Sequence, residues 1–194
     1  MHTLTRDDLY SLEKYADIRP EFRAKVMAHK KDRAVALGDH VTLYFEDRLT
    51  MHYQVQEMLR AERIFEAEGI DEELAAYNPL IPDGRNWKAT MMIEYSDVDE
   101  RRAALSKMIG IEDRVWVKVG DHDRVYALAD EDLERETDEK TSSVHFLRFD
   151  LTPEMCETAK KGGAVSAGVD HDAYAATVNA LPAGTRDSLV ADLD

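Results

Sequence analysis
The chain has a single cysteine, Cys156, among 194 residues. One thiol forms no intramolecular disulfide, and it cannot supply the thiolate set of an iron–sulfur cluster. No paired Cys-x-x-Cys and no His-Glu-x-x-His spacing is present, so the common zinc signatures are absent. Glycine is sparse, with nine residues. None builds a GxxxxGK[ST] or GxGxxG phosphate loop, and there is no GxSxG nucleophile elbow. No apolar run approaches the roughly 18 residues that would span a bilayer. The opening MHTLTRDDLYSLEKY lacks the apolar stretch of a signal peptide, so a cytoplasmic protein without a membrane segment is expected. Positive charge is scarce, with 25 Lys and Arg against 40 Asp and Glu and a formal net charge of −15. A chain this acidic is repelled by nucleic acid and by anionic membranes.

What is present is a folding composition, 44% hydrophobic and 34% charged. The length suits one domain and can bury a core without disulfides or a structural metal. Charge is uneven along it. Arg19, Arg23, Lys25, Lys30, Lys31 and Arg33 face only Glu21 and Asp32 in one stretch, while Asp130 to Glu139 holds seven acids and Arg135. The first reads as a solvated helix face or a local anion-binding or partner-docking patch, and the second as an exposed loop or frayed helix.

Spacing predicts the elements. Thr5 is an N-cap with acids behind it, and Leu9, Leu12, Tyr15 and Ala16 keep helical period. Pro20 is expected to open a second helix as its first residue. Gly38-Asp39 marks a turn, and Val41 to Phe45 a strand. A long helix is expected over residues 48–68, with Met51, Val55, Met58, Leu59, Glu62 and Phe65 on one stripe and Gly69 closing it. Trp87 to Tyr95 is a strand, and Val98 to Ile109 a helix. Val115 to Val119 and Arg124 to Ala129 form a hairpin. Val144 to Leu151 is a strand, and Pro153 opens a helix that Gly162-Gly163 ends. Ala164 to Val169 is a short strand, and two short helices finish the chain. The sum is an α+β single domain. A mostly antiparallel sheet packs on the long helix, with a helical part over 1–80, a sheet-rich part over 86–170 and short helices over 171–194.

The segment Tyr44 to Arg63 is the densest in chemistry. Glu46, Arg48, His52, Gln56, Glu57, Arg60 and Arg63 lie among apolar positions. His52, Gln56, Arg60 and Arg63 recur at three to four residues and share a helix face, which is either a surface ladder of ion pairs or an anion-reading strip. Glu62 breaks the apolar stripe, and a buried carboxylate needs a partner; Arg33 and Arg148 are the candidates. On the strands, Lys88, Thr90 and Glu94 form a polar row, and His145 and Arg148 point to opposite faces. His29 and His145 sit in apolar patterns that suit satisfied core histidines. Glu62 and His145 are the candidates for proton handling, with Arg60 or Arg63 holding an anion. No metal ligand set and no cofactor is expected from these spacings, and Cys156 reads as inert and half-buried on a helix.

Longer stretches carry a resemblance. KKDRAVALG (Lys30 to Gly38), LYFEDRLTMHYQVQEMLRAERI (Leu43 to Ile64), AYNPLIPDGRNWKATMMIEY (Ala76 to Tyr95), IGIEDRVWVKVG (Ile109 to Gly120) and TSSVHFLRFDL (Thr141 to Leu151) are similar to an uncharacterised bacterial family, domain of unknown function 3501. No activity follows from the resemblance. What it implies is an accessory protein with a protein partner in iron or peroxide metabolism, a rubrerythrin-like or iron–sulfur redox system. The sequence therefore supports three readings: a binding or accessory protein, an enzyme acting on a small anionic substrate through an Arg/Glu/His site, and a structural homo-oligomer joined by the charged ladder.

Overall fold
A computed structural model describes residues 2–194. Its described residues form six α-helices and nine strands in two antiparallel sheets, an α+β fold. The first sheet has the order β1 (Ala34–Leu37), β2 (Val41–Glu46), β3 (Asn86–Ile93), β7 (Val144–Asp150), β6 (Leu128–Ala129). The second has the order β5 (Val125–Tyr126), β4 (Val115–Val119), β8 (Val165–His171), β9 (Tyr174–Val178). The single expected sheet is thus two. Period-2 alternation supplies both inner faces: Leu43, Phe45, Trp87, Ala89, Met91, Leu147 and Phe149 from the first, and Val115, Val117, Val119, Ala167 and Val169 from the second. These side chains make one buried cluster, closed at its ends by α5 (Pro153–Lys160) and α6 (Ala183–Val190) through Met155, Ala159 and Leu189. Cys156 joins them from α5, and burial pushes its thiol pKa up, so it is inert packing.

Helices cover the other face of the first sheet. α1 (Leu12–Lys31) is one helix, where two were expected. Pro20 lies inside it, and Ser11 supplies its N-cap by accepting from the Lys14 amide, while Thr5 caps a separate short 3-10 turn over Arg6–Asp8 with Asp7 and Asp8 in it. Tyr15 and Val26, both fully buried, lie on either side of the proline in sequence and keep the helix on one line of packing. α2 (Arg48–Glu62) starts from a capping box between Asp47 and Thr50 and stops earlier than residue 68. Arg63 takes the left-handed conformation (φ 56°) and turns the chain into α3 (Ala67–Tyr77). Gly69 lies within α3; a Cβ there would come within 2.8 Å of the Ile64 side chain. Met51, Val55, Leu59 and Leu74 form a second, smaller core between α2 and α3.

Two expectations about strands also change. Ala34 to Leu37 forms β1, paired to β2 across a turn at Gly38. Gly38 has φ +72°, and a Cβ there would lie 2.6 Å from the Tyr174 hydroxyl, so both conformation and space call for glycine. At the C-terminal end, Tyr174–Val178 is a strand hairpinned to β8, and only one helix, α6, follows. The alanine-rich run is held extended by its pairing with β8.

Candidate functional site
The register of the first sheet sets up the site. Glu46 on β2 lies opposite Lys88 on β3, and Lys88 lies opposite Arg148 on β7. The next row outward along the same face is Tyr44, Thr90 and Phe146, and the next Thr42, Met92 and Val144. This face looks away from the main core, towards α2 and the chain after α3. Between them runs a groove of two adjoining cavities. One, about 380 Å³, is lined by Lys88, Glu131, Asp132, Arg148, Pro79 and Ala76. The other, about 350 Å³, is lined by Lys30, Tyr44, Glu46, Met51, Thr90 and Met92. Tyr77, Leu80 and Phe146 border both and form the waist. Each volume falls in the range of small-molecule sites, and the lining has their mixture of apolar walls and few polar groups.

Three of the residues singled out in sequence therefore share this groove. Glu46 is 7% exposed. Its two carboxylate oxygens accept from the Thr50 hydroxyl at 2.6 Å and the Thr90 hydroxyl at 2.8 Å. It precedes the N-cap of α2, whose helix dipole offsets part of its charge. Among the described residues no cation reaches it at ion-pair distance; Lys30, at the rim, lies over the Tyr53 ring, 5.9 Å from its centroid. Lys88 is half-buried and donates to the Pro79 carbonyl. Among the described residues no carboxylate lies at ion-pair distance from its ammonium. Burial pushes its pKa down, against weaker attraction from Asp83, Glu131 and Asp150. Directly opposed Glu and Lys on neighbouring strands ordinarily pair; here each turns to a different partner, and a charge separation stays open in the groove.

Arg148 differs. Its Nε and Nη2 donate to Glu131 at 2.9 and 2.8 Å, and its Nη1 to Asp150. Glu131, the first of these partners, raises its pKa, and the arginine lowers that of Glu131 in turn. Glu131 comes from the acidic loop between β6 and β7. Arg135 ties that loop down, bonding Asp130 at 3.1 Å and Asp132 at 2.5 Å and stacking 4.6 Å from the Phe146 ring centroid. The segment is the exposed loop that was expected, and it also forms one edge of the groove.

The remaining candidates on α2 are elsewhere. His52 stacks on Tyr10 and packs edge-on against Phe22, and burial lowers its pKa. Gln56, fully buried, exchanges two hydrogen bonds with the Tyr10 backbone. Glu57 accepts from the Tyr15 hydroxyl and, bidentately, from Arg19, whose guanidinium holds its pKa down at about 2. Arg48 pairs with Asp8 and bonds the His2 carbonyl. Glu57, Gln56 and Arg48 thus fasten α1 and the N-terminal segment to α2. Arg60 and Arg63 are exposed at the end of α2, and Glu94 is exposed past the end of β3. Glu62 is also exposed, which corrects its expected burial. The apolar stripe stops at Leu59 because the helix ends at Glu62. Its expected partners are engaged elsewhere: Arg148 with Glu131 and Asp150, and Arg33 with Asp192 at 2.5 Å and Asp47 at 3.4 Å.

His145 lies on the inner face of β7, fully buried and on the opposite side of the sheet from Phe146 and Arg148. Its Nδ1 is 2.6 Å from Asp130, and its Nε2 is 2.9 Å from the Thr141 hydroxyl and 3.0 Å from the Ser142 carbonyl. Glu112 lies 3.8 Å from Nε2, its carboxyl pKa pushed up by burial. Glu112, Asp130 and His145 bring possible ligand atoms within 4.8 Å of one another. Both ring nitrogens are already engaged, so a metal would have to break the bonds that hold the loop to the sheet. The satisfied core histidine is the reading that fits. Tyr44, Tyr77, Phe146 and Glu131 were not singled out as site residues; only the strand register and the fold-back of α3 bring them to the groove.

Sequence and structure comparisons agree with this fold. The profile of a family described as protein of unknown function (DUF3501) matches residues 3–193. A crystal structure of a protein from Burkholderia pseudomallei, described as a novel protein of unknown function, is 52% identical, with a TM-score of 0.92 over 100% of both chains. No curated protein matches the chain.

Proposed function
The chain belongs to the DUF3501 family, and from that premise we propose that it is a binding protein for a small organic anion with an apolar body, held in the groove over β2, β3 and β7. The observation that carries this reading is Lys88. A half-buried ammonium with donors to spare, facing an apolar cavity of about 380 Å³, is disposed to receive a carboxylate or phosphate. Pro79, Leu80 and Phe146 offer walls for the ligand's hydrocarbon part. Arg148 adds positive potential beside it while staying bonded to Glu131 and Asp150.

Binding is favoured over the enzyme reading because the proton-handling candidates do not reach this groove. His145 is on the other face of the sheet and Glu62 is in solvent. The redox accessory role that the family resemblance implies finds no specific support in the groove, so it forms no part of the reading.

Calorimetric titration with short alkyl carboxylates and alkyl phosphates tests the proposal. Saturable binding to the unaltered protein, weakened roughly tenfold by Lys88→Met, is expected for the loss of one charge-assisted hydrogen bond. Absence of saturable binding across both series would overturn it.

A further inference from the structure
The groove has a second unpaired charge, and its sign is opposite. Glu46 lines the cavity beyond the waist, more than nine-tenths buried, with two hydroxyls on its oxygens and no cation at ion-pair distance among the described residues. A buried carboxylate without a counter-charge is costly unless something supplies one. The helix dipole of α2 and the two threonines offset part of that cost, but two neutral hydroxyls are weaker partners than a cation. Beside it, Asp47 and Asp192 share the Arg33 guanidinium, with the His29 imidazole also on Asp47; Glu112, on the other side of the sheet, has only the His145 imidazole at 3.8 Å. Lys88, directly opposite on β3 and able to pair with Glu46, is turned to the Pro79 carbonyl in the neighbouring cavity. Near Glu46, Tyr44 and Tyr77 offer aromatic surface to a cationic group and Met51 and Met92 polarisable sulfur, with Lys30 at the rim.

We infer that the groove is bipolar and that its ligand is zwitterionic, an ω-amino acid or a compound of that charge pattern. The ammonium sits at Glu46, the hydrocarbon chain passes the Tyr77–Leu80–Phe146 waist, and the carboxylate meets Lys88. This rests on the anion-binding reading above and names the ligand class for the same site. The two poles line adjoining cavities on either side of the waist, Lys88 in one and Glu46 in the other, so a ligand that reaches both is longer than an α-amino acid.

The test is a calorimetric series running from glycine and β-alanine to 4-aminobutyrate, 5-aminopentanoate and 6-aminohexanoate. Three controls accompany it: the alkyl carboxylates of equal length, the alkylamines, and the N-acetyl derivatives. An optimum among the longer ω-amino acids is expected, at least about tenfold tighter than the matched carboxylate. N-acetylation, which removes the cation, should abolish that advantage on the unaltered protein. Glu46→Gln, which keeps the shape, should abolish it too. Carboxylates that bind equally well with and without the amine would overturn the zwitterion and leave the anion-binding reading standing. Amines that bind without any gain from a carboxylate would overturn the anion pole and, with it, the bipolar site. The N-acetyl comparison needs no variant, so the inference stays testable if Glu46→Gln folds poorly.

Discussion
Arg33 and Lys88 are both cations held inside the fold, and they differ in what is left over. Arg33, 2% exposed, spends every arm on the chain: Nε on the Phe45 carbonyl, Nη1 on Ser188, Nη2 on the Glu46 carbonyl and Asp192. It ties β2, the turn into α2 and the C-terminal segment after α6 together. Lys88 spends one bond on a carbonyl and faces a cavity. The same contrast runs through two neighbours in sequence. Asp47 is consumed as N-cap of α2 and partner of His29 and Arg33, whereas Glu46, one residue earlier, turns to the groove with hydroxyls alone. A saturated buried charge holds the fold. An unsaturated one in a cavity leaves hydrogen-bonding capacity over.

That contrast can be broken, most severely at Arg33. Arg33→Met leaves Asp192 and Asp47 without their cation in the interior, and a loss of about 3–5 kcal/mol in urea unfolding is expected. A loss near zero would mean the centre is not the tie described.

Asp192 gives the same centre a pH signature. Burial pushes its carboxyl up to about 6 against the pull of Arg33. The unfolded value is near 3.9, so the folded state holds the extra proton between the two. The resulting stabilisation is complete below about pH 4 and is lost as pH rises through about 6. Unfolding of the parent relative to Asp192→Asn should therefore change by up to about 3 kcal/mol across that window, with the parent gaining towards acid. A pH-independent difference would contradict it. Glu57, held at about 2 by Arg19, titrates in both proteins and cancels in this difference.

His145→Ala should cost about 2 kcal/mol, because Asp130 loses a buried hydrogen-bond partner. Carboxylate binding in the groove should stay unchanged, since the ring lies on the other face of β7. A variant that folds but no longer binds would join the two regions that the structure separates.

Lys88→Met should change stability by less than about 1 kcal/mol while weakening carboxylate binding, the reverse of Arg33→Met. At the smallest end, Glu131→Gln should move stability by less than about 0.5 kcal/mol, because its pair with Arg148 is at the surface.

The outline of the fold was legible because most elements carry local signals. Thr152-Pro153 starts α5, Gly38-Asp39 marks the turn before β2, and alternation marks β3 and β7. The misreadings come from extrapolating a period past a break the sequence does not announce. The stripe on α2 was carried through Arg63 to Phe65, and with it Glu62 into a core it never enters. The Tyr174 strand was missed because alanine has helical propensity and its pairing with β8 is a tertiary fact. At the site, Glu46, Lys88 and Arg148 stood out one by one as charges in strands. Their alignment in one cross-strand row was not readable, because it depends on the register between segments far apart in the chain. His52, Gln56 and Glu57 misled for the opposite reason: their helical spacing was right, but α1 covers that face.

The most direct measurement is a ¹H–¹⁵N NMR titration of the unaltered protein with 5-aminopentanoate and with pentanoate. Saturable shifts are expected, confined to the outer face of the first sheet at Tyr44, Glu46, Lys88, Thr90 and Phe146 and to Tyr77 and Leu80, with the amino compound saturating at lower concentration. Shifts that do not saturate, or that centre on the basic stretch Arg19 to Arg33, would contradict this expectation.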